Sequence, residues 1–249
     1  MFENIVPITH EQHKNKKIRP ISNFDFAKQF NIASIMVHEF SRAASTYPIV
    51  FLEDKDRDEF RPVVLMGLET GENLFIRDGR WDASYIPAII RRYPFALAKT
   101  SEQGDNYTVC LDNSSELINE TEGEPLFNND GTPSEMMERV KRYLAELQQM
   151  DKFTQEFCQF LQEHNMFTPL NMKVRQQDEI KNITGCYVVN EERLNNMSDE
   201  GFLAFRKKQF LPAMYAHLIS LAQIERLLKY KEQATGVPTE QFPVSTELH

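Results

Sequence analysis

A change of pattern at Thr132-Pro-Ser-Glu135 constrains this chain more than any other feature. Upstream of it, short apolar runs are separated by Gly- and Asn-bearing turns. Downstream, apolar residues recur at helical spacing. The four residues read as a capping box with proline at the first helical position. They predict a helix to about Gln149 and a second from about Lys152 to Asn165, which presents Phe153, Phe157, Phe160 and Leu161 to a core. The expected class is α+β: an N-terminal mixed or antiparallel β-rich half with short helices, and a C-terminal mainly helical half with a small β-hairpin. A chain of 249 residues with 41% hydrophobic content can bury a sizeable core. It does so either as two lobes, 1–131 and 132–236 with a flexible tail at 237–249, or as one integrated domain.

Within the first half, Ile32, Ile35, Met36, Phe40, Ala43 and Ala44 predict one amphipathic helix. Pro48 disfavours helix at Tyr47 and opens a strand over 48–52. Arg61 to Glu69 and Leu74 to Ile76 read as a hairpin across Thr70-Gly-Glu-Asn73, and Arg77-Asp-Gly-Arg80 reads as a second turn. A short helix over Ala83 to Arg92 leads through Tyr93-Pro94 into a strand at Phe95, and Tyr107 to Asp112 forms another. In the second half, Leu170 to Val174 and Gly185 to Val189 are hairpin partners across a polar turn at Gln176 to Lys181. Ser198 opens a helix to about Gln209. Pro212 starts the last helix, to about Lys231, with Met214, Leu218, Leu221, Ile224 and Leu228 on its apolar face.

A net charge of -9 argues against nucleic acid as a partner, because polyanions require a basic footprint. Lys14, Lys16, Lys17 and Arg19 are a local exception, read as a solvated strand edge or arm. Residues 99–135 hold nine acidic side chains against Lys99 alone, a self-repelling surface stretch. Cysteines 110, 158 and 186 are odd in number, far apart and set among apolar residues, so buried, reduced thiols are expected in place of a disulfide framework or zinc knuckle. No segment has the apolar core of a signal peptide or the roughly 18 to 20 apolar residues of a membrane span. A cytoplasmic protein without membrane insertion is the expectation, which leaves Asn106-Tyr-Thr and Asn182-Ile-Thr without meaning as glycosylation sites.

Motifs that would define a reaction are missing. There is no G-x-S-x-G elbow, phosphate-binding loop or dinucleotide fingerprint, and Asp130-Gly131 lacks the carboxylate pattern of a calcium loop. His10-x-x-His13 and His38-Glu39 are the metal-like pairs, with His217 as a distant supplement. His217 falls on an apolar helix face, where a buried, hydrogen-bonded imidazole is the simpler reading. No metal or cofactor is expected and no catalytic residue is assigned, so the enzyme reading leans negative. Arg80-Trp81 and Arg91-Arg92-Tyr93 remain. Guanidinium groups beside aromatics bind carboxylates while stacking, which suits peptide or protein recognition. In the competing reading Trp81 and Tyr93 anchor the core while the arginines pair with Asp78, Asp82 or Glu39.

Several ordered blocks carry a family resemblance: His38-Glu-Phe with Tyr47-Pro-Ile-Val-Phe51, Gly67-Leu-Glu-Thr-Gly-Glu-Asn-Leu-Phe75, Gly79-Arg-Trp-Asp82, Arg92-Tyr-Pro-Phe-Ala-Leu97, Leu126-Phe-Asn-Asn-Asp-Gly131, Thr184-Gly-Cys-Tyr-Val-Val189 and Ala216-His-Leu-Ile-Ser-Leu221. The chain resembles the SapC family of bacterial proteins, whose name comes from a surface-array (S-layer) setting and which has no agreed active site. Related genes stand beside those for tryptophan-halogenase-like flavoproteins and outer-membrane receptors, so the resemblance implies an accessory role at the cell envelope. A peptide-transporter permease of the same name needs membrane spans that this chain lacks. The leading expectation is a noncatalytic cytoplasmic protein that binds a protein or peptide partner. The alternatives are a metal-dependent enzyme using His38, Glu39 and another histidine, and a structural S-layer component.

Overall fold

The computed structural model describes residues 2–99, 107–176 and 179–242. Its elements in chain order are β1 (Ile5–Pro7), α1 (His10–His13), β2 (Lys17–Ile18), β3 (Ile32–Ser34), α2 (Phe40–Ala43), β4 (Ile49–Asp54), β5 (Glu59–Leu65), β6 (Ile76–Arg77), β7 (Arg80–Trp81) and α3 (Ala88–Arg91). There follow β8 (Phe95–Lys99), β9 (Tyr107–Asp112), β10 (Ile118–Asn119), β11 (Glu124–Pro125), α4 (Glu135–Glu163), β12 (Phe167–Gln176), β13 (Glu179–Val189), α5 (Glu191–Asn195), α6 (Asp199–Lys207), α7 (Leu211–Ser220), α8 (Ile224–Thr235) and β14 (Thr239–Phe242). The class is α+β, β-rich with short helices first and mainly helical afterwards. By backbone contacts the chain forms two discontinuous units, Met1–Phe26 with Ala88–Gln149, and Ala27–Pro87 with Met150–His249. The 131/132 junction falls inside the first of these.

In the first unit β1, β9 and β8 form an antiparallel sheet, and β2 lies between β10 and β11. The basic run around β2 is therefore not an edge. Lys16 pairs with Glu120 at 2.8 Å, Lys17 Nζ donates to the Thr121 carbonyl and the Arg19 guanidinium to the Glu116 carbonyl, so one ion pair and two bonds to backbone carbonyls tie this strand to the acidic stretch. Asp112, fully buried, accepts from the N–H groups of Glu3 and Asn4 and from the Ser114 hydroxyl. Burial alone would raise its pKa, but those bonds outweigh it and hold the carboxyl below its usual range.

Helix α4 runs unbroken from Glu135 to Glu163, where two helices were expected. Neither glycine nor proline interrupts it, and Ser134 supplies the cap, its Oγ accepting from the Met137 N–H, while Thr132 Oγ1 is turned to Asp130. At the far end Asn165 takes φ 53°, with its N–H bonded to the Gln162 carbonyl and that of Met166 to Leu161. These are the paired closing bonds of a Schellman stop with asparagine at the left-handed position.

The second unit is built on a six-stranded sheet of antiparallel pairs, ordered β14-β12-β13-β4-β5-β3. The strand at Pro48 forms where expected, and the β12–β13 hairpin is longer than expected: Gln176 and Glu179 to Lys181, read as a polar turn, are paired strand because the ladder runs on past Val174, while 177 and 178 lie outside the described residues. Other expectations are corrected. Ile32–Ser34 is an edge strand on β5, and only Val37–Glu39, as a 3-10 turn, and α2 are helical. The apolar spacing of Ile32 and Ile35 fits either state, and pairing with Leu65 to Val63 decides it. β5 pairs with β4, while β6 and β7 make their own ribbon over Asp78 and Gly79, both at positive φ. Pro87 confines the helix expected over 83–92 to Ala88–Arg91. The last helix is divided by a 3-10 turn at Leu221–Gln223. Thr239–Phe242, expected as loose tail, adds β14 to the edge of β12 after Gly236 ends α8; residues 243–249 lie outside the described residues.

One contact spans the middle of this sheet. β13 and β4 pair at Cys186↔Leu52 and Tyr187↔Phe51, and the same register continued would set Val188 opposite Val50 and then Val189 opposite Ile49. There the imidazole of His217 stands between the strands. Its Nε2 accepts from the Val189 N–H at 3.0 Å, which leaves the proton on Nδ1 to be donated to the Ile49 carbonyl at 2.9 Å. Ser220 Oγ accepts from the Ile49 N–H and donates to the His217 carbonyl. Helix α7 thus satisfies backbone groups that would otherwise be orphaned. Burial holds the imidazole neutral, with its pKa lowered from 6.5 to about 4.

Because the folded form takes up its proton at lower pH than the unfolded chain, this histidine leaves stability untouched above its unfolded pKa. Stability is lost as pH falls from about 6.5 to about 4, by up to about 3 kcal/mol. Urea denaturation across that range checks the slope, and His217→Leu should abolish this part of it. The same substitution at pH 7 should cost about 2–5 kcal/mol by stranding two buried backbone groups.

Candidate functional site

A groove of about 800 Å³ opens in the second unit, lined by Ser34, Ile35 and Arg57 to Pro62 on the strand side and by residues of α4 between Asp151 and Glu163 on the helix side. Backbone alternation sets the character of the strand side. Even-numbered residues of β5 direct their polar groups toward β3: Val64 stands opposite Ala33, and the Pro62 carbonyl accepts from the Ile35 N–H. Beyond Ile35 the chain leaves the sheet, and the Val37 N–H is taken by Thr154 Oγ1 on α4. Phe60, next in the alternation, turns its N–H and C=O to the groove.

Charge on the helix side is one-sided. Asp151 accepts from Gln155 at 2.9 Å, Glu163 from Gln159 at 3.0 Å, and Asp58 from Gln162 at 3.1 Å. None of the three carboxylates is in an ion pair among the described residues. The groove's arginines are already engaged, Arg61 with Asp54 and Glu59 at 3.6 Å and Arg57 with Asp54 at 3.9 Å. Cys158 also lines the groove but is almost fully buried, and burial pushes its thiol up to about 12, far from a reactive thiolate. Burial also raises Cys110 and Cys186, and all three thiols are free.

Trp81 lies half-buried in the second unit, its indole N–H donating to Tyr47 Oη at 2.8 Å and to the Tyr85 carbonyl at 3.2 Å. Tyr47, wholly buried, donates to the same carbonyl, and burial raises its phenol pKa. The Tyr85 hydroxyl continues the chain to Glu39 Oε1 at 2.6 Å, while Glu39 Oε2 accepts from the Met36 N–H. The Trp81 indole is thus part of an internal network, with Arg80 exposed beside it. Arg77, not Arg80, pairs with Asp82, at 3.4 Å. In the first unit, Tyr93 is buried and stacks on Phe26 at 4.3 Å, and burial raises its pKa. Arg92 reaches over the Phe2 ring and Arg91 over Tyr143. The five residues therefore divide between the units, Arg80 and Trp81 in one and Arg91, Arg92 and Tyr93 in the other.

The histidines divide likewise. His10 meets the Phe127 ring edge, and buried His13 is bonded through Nδ1 to the Thr9 backbone, both in the first unit. In the second, exposed His38 lies against Phe153, Glu39 is held as above, and both ring nitrogens of His217 are taken. Among the described residues no group of three or more His, Cys, Asp or Glu side chains is placed to hold a metal ion.

A family model described as SapC matches residues 8–227. The chain belongs to the SapC family. No curated protein and no solved structure matched it. Among the described residues of this SapC chain, no helix is long and apolar enough to cross a membrane.

Sequence reasoning passed over the groove of the SapC chain because its parts, glutamines and carboxylates on a helix and one strand residue, have the composition of any solvated face. The visible signal was the spacing of Asp151, Gln155, Gln159 and Glu163, four apart along one helix face. For the indole network, Trp81→Ala should cost about 3–5 kcal/mol through lost packing. Trp81→Phe, which keeps most of the ring but strips the N–H donor, should cost about 1 kcal/mol. Denaturant midpoints of the two variants check both.

Proposed function

We propose that this SapC-family chain is a noncatalytic accessory protein that recognises a polypeptide partner in a process of the bacterial cell envelope. The observation that carries the reading is the groove beside β5, which combines a strand edge facing open space with carboxylates that make no ion pair among the described residues. Exposed backbone groups of that kind are satisfied by another chain far more readily than by a small molecule. Groups with catalytic potential are occupied or unactivated: His217 is held by the sheet and Glu39 by Tyr85 and Met36, while Cys158, although it lines the groove, is buried with its thiol pKa raised. The envelope setting follows from the neighbourhood of halogenase-like and outer-membrane-receptor genes that family resemblance implies, and the cytoplasm is the proposed site of action.

Affinity retention of the tagged full chain from native lysate at moderate salt, with mass spectrometry and elemental analysis, tests this. One polypeptide retained in stoichiometric amount is the expected result. A stoichiometric transition metal with no polypeptide would overturn the proposal and return attention to His38 and its neighbours.

A further inference from the structure

The groove's two walls make different demands on whatever fills it, and together they define its chemistry. On the strand wall, the antiparallel row between β3 and β5 runs through Val64 opposite Ala33 to the Pro62 carbonyl and then stops, because the chain departs after Ile35. Phe60 N–H and C=O lie next in that row, and no hydrogen bond among the described residues occupies them. An extended backbone continuing the line of β3 would find one donor and one acceptor in strand register. On the helix wall and at the turn before β5, Asp151, Glu163 and Asp58 each receive a glutamine amide and, among the described residues, no cation, whereas Arg57 and Arg61 are neutralised by Asp54 and Glu59. The charge left over is negative, so the complementary occupant is positive.

We propose that the groove accepts an extended polypeptide segment bearing lysine or arginine at alternate positions, which adds to β5 beside Phe60 and sets its cations against Asp58, Asp151 and Glu163. Alternation matters because successive side chains of an extended segment point to opposite faces, so only every second residue can reach the same wall. The inference rests on the polypeptide-binding reading and adds to it the place, the backbone conformation and the charge of the bound segment.

Fluorescence anisotropy on the full chain tests it with three labelled peptides of equal length: alternating lysine and valine, alternating glutamate and valine, and the lysine peptide N-methylated on alternate backbone amides. The lysine peptide should bind, with affinity falling in about 0.5 M salt as exposed charges are screened. Both other peptides should bind at least about tenfold more weakly, one lacking charge complementarity and the other the strand hydrogen bonds. Asp151→Asn combined with Glu163→Gln should weaken the lysine peptide about fivefold or more without lowering the melting temperature. Glu225→Gln with Glu232→Gln, an equal change of charge on exposed positions of α8, should leave binding unchanged. Equal binding of the lysine and glutamate peptides, equal binding of the N-methylated peptide, or indifference to the Asp151 and Glu163 substitutions would each overturn the inference. A native partner still retained by the Asp151 and Glu163 variant would overturn it while sparing the broader reading; absence of both partner and peptide binding would end both.

Discussion

The sheet of the second unit depends on an imidazole placed where a strand ladder opens. β4 and β13 pair for only two residues before they part, and parting would leave Ile49 and Val189 with buried, unanswered backbone groups. His217 answers both, as donor to one strand and acceptor from the other, and Ser220 answers the remaining N–H of Ile49. A lysine could not accept, and a carboxylate could not donate while charged. Neutral histidine does both in one plane, at the cost of tolerance to acid. The residue that looked most like a supplementary metal ligand is thereby explained as the fastener of α7 to the sheet.

Charge organises the first unit in a different way. The acidic stretch repels itself, but Lys16, Lys17 and Arg19 arrive from far away in sequence to lie along it, and Arg139 on α4 reaches Glu124. Each exposed pair contributes little stability by itself. Their collective effect is on register: β2 is only two residues long, and the ion pair of Lys16 together with the carbonyl bonds of Lys17 and Arg19 favours the alignment in which it sits between β10 and β11.

The legible parts of the fold are those determined locally. Proline at 48 followed by Ile49 to Leu52 announces a strand without help from the rest of the chain, and the β12–β13 hairpin declares itself by β-branched and aromatic residues on both arms. Ile32 to Ala44 misled because its apolar spacing satisfies two periods at once, and only the partner strand distinguishes them. The continuity of α4 through Met150 and Asp151 was hidden because polar residues at its midpoint resemble a loop when their packing cannot be seen. The choice of β4 as the partner of β5 was illegible for a related reason: a six-residue strand pairs with whichever neighbour topology supplies. At the groove nothing in composition separates a carboxylate awaiting a cation from one facing water; the difference lies in which arginines are already taken.

Both units are stitched from stretches that lie far apart in the chain, and this governs how the protein comes into being on the ribosome. Ile49 emerges some time before His217 and Ser220, so the central strand waits with its backbone unanswered until α7 has been synthesised. The first unit likewise cannot close before α4 begins. Contacts of such high sequence separation slow folding and lengthen the interval in which apolar strand edges are bare. Until the residues from Leu211 onward have been made, the nascent chain holds a sheet that has strands but no clasp.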